Sequence, residues 1–196
     1  MNKKNYIKFI KKNIFKTEEF SQFNLMFKDF SKFNKLNYKH CAILERTYMY
    51  NNKSIFAPLL DKTKKITSVD FRINQINKRI GIQNNLIKKL DTEFIESKLY
   101  IQDLEHKFSS NIKKLDNDLL LIPNALHHIS NFDLLIKKIS IIMPKIKYIY
   151  IFDSYLRENH QSPNDYCRYT TYALKGIMQL HNYKSIKVNE TGNIFD

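Results

Sequence analysis

Asp118-Leu-Leu-Leu-Ile-Pro-Asn-Ala-Leu-His-His128, followed after a helical stretch by Lys147-Tyr-Ile-Tyr-Ile-Phe-Asp153, decides the fold. Asp118 to Ile122 and Lys147 to Asp153 place large apolar residues on consecutive positions, the pattern of strands covered on both faces by helices. Between them, Asp133 to Ile142 spaces its apolar residues at helical intervals. A strand, a helix and a second strand in that order make a parallel pair joined by a crossover.

The same alternation extends outward. His40-Cys-Ala-Ile-Leu-Glu45, Lys65-Ile-Thr-Ser-Val-Asp-Phe71 and Lys98-Leu-Tyr-Ile-Gln-Asp103 read as earlier strands, and Lys184-Ser-Ile-Lys-Val-Asn-Glu190 as a last one. Asn74 to Leu90 and Thr171 to His181 carry helical spacing. The expected class is α/β, a Rossmann-like doubly wound and mostly parallel sheet. From Tyr6 to Phe33 the large apolar residues recur at helical intervals, as one or two amphipathic helices, with Lys8, Lys11, Lys12 and Lys16 among them. A membrane-surface helix would show the same mixture; a helix packed on the sheet with its lysines in water is the stronger expectation. The expected organisation is N-terminal helices over residues 1–38 packed on a Rossmann-like domain over 39–196.

Composition narrows the function. The 196 residues include three glycines, against roughly 14 for an average chain of this length, so phosphate loops built on several glycines are disfavoured. Cys41 and Cys167 are too few and too distant for a disulfide framework, which points to a reducing, cytoplasmic setting. No apolar run approaches the roughly 20 residues of a membrane span. The Met1-Asn-Lys-Lys4 start lacks a signal-peptide cleavage site. The formal charge of +14 suits anionic partners. Because nearly all the cations are lysines and Asn and Ile are abundant, codon bias accounts for much of it, and nucleic acid is the less favoured partner. His127 and His128 have no cysteine pair beside them, so no metal site is expected.

In a doubly wound sheet, ligands bind at the carboxyl ends of the strands where strand order reverses. Glu45, Asp70 and Asp103 stand at or near the ends of three successive strand candidates. Such acids suit a nucleoside, because a carboxylate accepts hydrogen bonds from both ribose hydroxyls. After the fourth candidate comes Pro123-Asn-Ala-Leu-His-His128, and after the fifth Asp153-Ser-Tyr-Leu-Arg157.

Ile43-Leu-Glu45, Ser68-Val-Asp70, Leu120-Leu-Ile-Pro-Asn-Ala-Leu-His-His-Ile129 and Arg157-Glu-Asn-His-Gln-Ser-Pro-Asn-Asp-Tyr-Cys-Arg-Tyr-Thr170 together resemble a class I S-adenosylmethionine-dependent methyltransferase. The likeness is strongest to the small bacterial type that often accompanies glycan biosynthesis genes. It implies S-adenosylmethionine as cofactor, with Glu45 leading into the cofactor loop, Asp70 on the ribose and Asp103 near the adenine. Asn124 and His127 would line the methionine side. Asp153 to Thr170 would face the acceptor, with Arg157, Tyr166 and Arg168 holding it and His160 as the base. The implied activity is methyl transfer to O or N of a small-molecule or carbohydrate acceptor.

The chain departs from that pattern in its glycine-poor cofactor loop, Glu45-Arg-Thr-Tyr-Met-Tyr-Asn-Asn52, although Asn51 and Asn52 tolerate the positive φ of a tight turn. The sheet is also expected to lack its last strand, with Thr191 to Asp196 as a stub. An open edge invites pairing with a second copy or a partner chain. Two alternatives therefore stand beside the enzyme: an inactive methyltransferase-like domain serving as a binding or assembly partner, and an RNA methyltransferase.

Overall fold

In a computed structural model, which describes residues 3–16, 21–32, 36–44, 49–50, 53–54, 56, 65–70, 96–101, 116–155 and 166–190, the two apolar runs pair as parallel neighbours. In chain order the strands are β1 (His40–Leu44), β2 (Met49–Tyr50), β3 (Lys53–Ser54), β4 (Lys65–Asp70), β5 (Glu96–Ile101), β6 (Leu119–Pro123) and β7 (Tyr148–Phe152). Five of them form one sheet in the order β5-β4-β1-β6-β7, and every pairing in it is parallel. β2 and β3 form a small antiparallel pair that sequence reading did not anticipate. The doubly wound, mostly parallel sheet is the expected one.

Side chains alternate across the central strands, and each face has its own core. Cys41, Ile43, Leu119 and Leu121 point to one face, where they meet Ile7, Ile10, Phe23, Met26 and Phe30. These come from α1 (Lys3–Phe9), the wider π turn Ile10–Ile14 that continues it, and α2 (Ser21–Lys32). Lys8, Lys11, Lys12 and Lys16 are exposed, so these segments pack on the sheet with their charges in water. Aromatic contacts dominate this layer: Phe15 stacks on Phe27 with centroids 5.3 Å apart, and Phe30 meets the edge of Tyr150 at 5.0 Å. Ala42, Leu44, Leu120 and Ile122 point to the opposite face. There they meet α3 (Phe132–Ile142) and α4 (Thr171–Leu180), through Leu135, Ile136, Ile139 and Met178.

At the amino ends of the central strands one residue, Asp118, ties three neighbouring strands together. Asp118 accepts hydrogen bonds from Lys39 N at 3.1 Å and His40 N at 2.9 Å, while its own carbonyl accepts from Lys147 N and Tyr148 N. The next knot joins α2 to β7: the Tyr150 hydroxyl donates to the buried Asp29 carboxylate at 2.8 Å, and Asn189 Nδ2 donates to its other oxygen at 3.0 Å. Burial, reinforced by the Asp29 carboxylate, pushes the Tyr150 phenol well above its ordinary pKa.

One expectation is corrected. Lys184 to Glu190 is not a strand; it runs irregularly, with Tyr183 and Ile186 against the α3–α4 layer and Asn189 bonded to Asp29 in the α2 layer. Side chains of this stretch thus reach both layers, but Tyr183 and Ile186, three apart, turn to the same face, a spacing that a period-two strand does not give. The expected helix Asn74 to Leu90, the Asn51-Asn52 turn and the stub Thr191 to Asp196 lie outside the described residues.

Candidate functional site

β1 is central, with β4 and β5 to one side and β6 and β7 to the other. Strand order therefore reverses between β1 and β6, and in sheets of this kind ligands bind in the crevice beside that switch point. Leu44 ends β1 and Pro123 ends β6. The residue after Pro123 is the first that can reach into that crevice.

Asn124 holds that position in the left-handed region, with φ of 53°. Asparagine tolerates this conformation better than other non-glycine residues, and it turns the chain sharply off the end of β6. Its backbone N–H donates to Phe152 O of β7. Its side chain is 95% buried, being only 5% exposed, and among the described residues Oδ1 has no hydrogen-bond partner. A buried carbonyl oxygen left in that state costs about 1–3 kcal/mol unless a donor arrives.

The turn continues as a short 3-10 segment, Leu126–His128, gripped from the end of β7. The Asp153 carboxylate accepts from Leu126 N, lies 3.2 Å from His127 Nδ1, and accepts from Ser154 N at 2.9 Å. The His127 ring is 1% exposed. His128 is buried beside it, with centroids 3.9 Å apart and planes tilted by 52°. Sequence reasoning noted the two histidines only for the absence of a cysteine pair beside them; in this tight segment they lean on each other. It also missed Asp153 as the organiser of the turn, although an acid directly after the Tyr-Ile-Tyr-Ile-Phe run, at the strand end neighbouring a His-containing turn, was the available signal. Asn131 then caps α3 by accepting from Leu134 N at 2.9 Å.

The segment Tyr166 to Thr170 clasps this turn from outside. Tyr166 N donates to His127 O at 2.7 Å, and both Cys167 Sγ and the Tyr169 hydroxyl donate to Ile129 O at 3.2 Å. Arg168 Nη1 donates to Cys167 O at 3.0 Å, and the Tyr166 side chain is exposed. Thr170 caps α4 through Ala173 N, and at the far end Asn182 closes the helix in the left-handed conformation. Of the residues singled out from sequence, Asn124, His127, Tyr166 and Arg168 are thus brought together around one turn. Asp70 is the last residue of β4, its backbone in register with Ile101 of β5. Glu45, Asp103, Arg157 and His160 lie outside the described residues.

No family model and no curated protein matches the chain. Among solved structures it is similar to an S-adenosylmethionine-dependent methyltransferase from Aquifex aeolicus, over 96% of this chain and 92% of that one, with a TM-score of 0.57 and 14% identity. It is similar also to the CurJ carbon methyltransferase, over 84% of this chain and 47% of that one, with a TM-score of 0.54 and 10% identity. The chain shares the Rossmann-like α/β fold of these two proteins. A more distant likeness, to YcgJ from Bacillus subtilis, has a TM-score of 0.41 and 9% identity and covers 59% of this chain and 44% of that one. The chain thus spans less than half the length of CurJ and of YcgJ. In sheets of this topology ligands bind at the carboxyl ends beside the switch point, which here lies between β1 and β6.

Proposed function

We propose that the chain transfers a methyl group from S-adenosylmethionine to an oxygen or nitrogen of a small-molecule or carbohydrate acceptor in the cytoplasm. The observation that carries this reading is Asn124: at the switch point of a methyltransferase fold, a buried Oδ1 without a partner among the described residues calls for a donor. The ammonium group of the cofactor's methionine portion is such a donor, and a hydrogen bond to a charged group contributes about 1.5–3 kcal/mol. In this respect Asn124 suits the cofactor.

Bound there, the cofactor supplies a sulfonium methyl group for in-line displacement. The rest is positioning and proton handling. Glu45 leads into the loop, where Asn51 and Asn52 stand in for the absent glycines. Asp70 accepts from the ribose hydroxyls and Asp103 serves the adenine edge. Asn124 and His127 form the methionine side, with His127 as the braced support of the Asn124 turn. Arg157, Tyr166 and Arg168 orient the acceptor, and His160 takes its proton. In this reading residues 1–38 are a covering helical layer and 39–196 the catalytic domain.

Calorimetric titration with S-adenosylhomocysteine tests the proposal. Binding is expected, and Asp70→Ala should weaken it. No heat and no thermal shift at millimolar ligand would overturn the enzyme reading and leave a binding or assembly domain.

A further inference from the structure

α4 buries little of itself. Leu174, Ile177 and Met178 turn toward the core, while Tyr172, Ala173, Lys175, Gly176, Gln179 and Leu180 are exposed. At 100° per residue these six fall on one continuous arc of the helix. Tyr172 is 86% and Leu180 77% exposed, with Gly176 between them in open space. Tyr172 and Leu180 are the two most exposed of the large apolar side chains among the described residues, and this arc carries a single charge beside them. That one charge is a lysine, Lys184 is exposed just beyond the helix, and neighbouring α3 exposes Lys137 and Ile141. The only acid in α3 and α4, Asp133, is 2.8 Å from His181 Nε2.

We propose that this face of α4 docks on an anionic lipid bilayer, Tyr172 and Leu180 entering the interface while Lys175 and Lys184 meet the headgroups. Apolar residues on one side of a helix with lysines at its margins are what interfacial attachment requires. Charge complementarity selects the occupant. A second copy would bring another +14 against the same lysines. A ten-residue helix about 15 Å long also falls well short of the roughly 800 Å² per partner of a stable interface. Nucleic acid would need a continuous track of cations, whereas here the lysines stand at the margins of an arc that carries Tyr172 and Leu180.

The full chain is sedimented with vesicles of phosphatidylcholine mixed with phosphatidylserine, and with vesicles of phosphatidylcholine alone. Binding to the mixed vesicles is expected, falling in high salt. The double variant Tyr172→Ser, Leu180→Ser should lose it roughly tenfold or more. The chain has no tryptophan, so Tyr172→Trp gives a unique reporter whose emission should shift to the blue on mixed vesicles only. Undiminished binding by the double variant, or no shift from the reporter, would overturn the proposal. So would retention of RNA, or self-association, that disappears in the double variant while vesicle binding does not.

Discussion

His127 Nδ1 stands 3.2 Å from Asp153 Oδ1, so the turn that leaves β6 is held by the first residue beyond β7. The same carboxylate receives Leu126 N–H, and Phe152 O receives Asn124 N–H. The position of Asn124 at the crevice is therefore set by the neighbouring strand as much as by its own loop.

Asp153→Ala should destabilise the protein by about 1–3 kcal/mol, because it removes a contact of a buried imidazole and the acceptor of the Leu126 backbone N–H at once. Asp153→Asn keeps one acceptor oxygen and should lose less. Urea unfolding of both variants at neutral pH checks the order.

Asn124 separates backbone need from side-chain chemistry. Asn124→Gly satisfies φ of 53° without strain and should leave stability within about 1 kcal/mol of the parent. It should nonetheless lower S-adenosylhomocysteine affinity about tenfold, through the missing Oδ1. Asn124→Ala should lose the same affinity and a further ~1–2 kcal/mol of stability from the left-handed backbone. Calorimetry and urea melts on the pair distinguish the two effects.

Tyr150→Phe removes a hydroxyl that donates to Asp29, a carboxylate only 7% exposed. The Asn189 amide remains on the other oxygen. The expected loss is about 1–3 kcal/mol in a urea melt, with α2 and the segment around Asn189 gaining amide exchange first.

Alkaline pH should destabilise the fold from about pH 9 upward. Burial first, and the Asp118 carboxylate second, push the Cys41 thiol far above its ordinary 9.0. The unfolded chain then gives up this proton while the folded chain keeps it. The corresponding stability is complete below pH 9 and falls by about 1.4 kcal/mol per pH unit above it. Tyr150 and Tyr183, also raised by burial, act in the same direction from their ordinary 10.0. In Cys41→Ala the loss of stability between about pH 8 and pH 10 should be smaller than in the parent.

Much of the fold was legible because buried parallel strands leave runs that nothing else explains. His40 to Glu45, Lys65 to Phe71, Asp118 to Ile122 and Lys147 to Asp153 each fall within a residue or so of the observed strands. Lys98 to Asp103 was displaced: the strand is Glu96–Ile101, its polar start Glu-Ser carrying no apolar signal. Lys184 to Glu190 misled because alternation alone does not distinguish a paired strand from an irregular segment whose side chains reach both layers. At the site, the turn that carries Asn124 and His127 was singled out from sequence through its place after a strand and the methyltransferase resemblance. The grip of Asp153 was not, since it depends on β6 and β7 being neighbours, a property of strand order rather than of local sequence.

The sheet's wholly parallel pairing also sets how the chain must fold. No pair among its five strands can zip from a tight turn; each waits for a crossover to be threaded first. The Asp118 carboxylate meets the His40 amide across 78 residues of chain, so β1 emerges early from synthesis and its inner neighbour β6 long after. Refolding should accordingly be slow for the chain's size, in the millisecond-to-second range of topologies rich in non-local contacts. An unpaired apolar β1 is prone to associate with other chains, so refolding yield should rise on dilution.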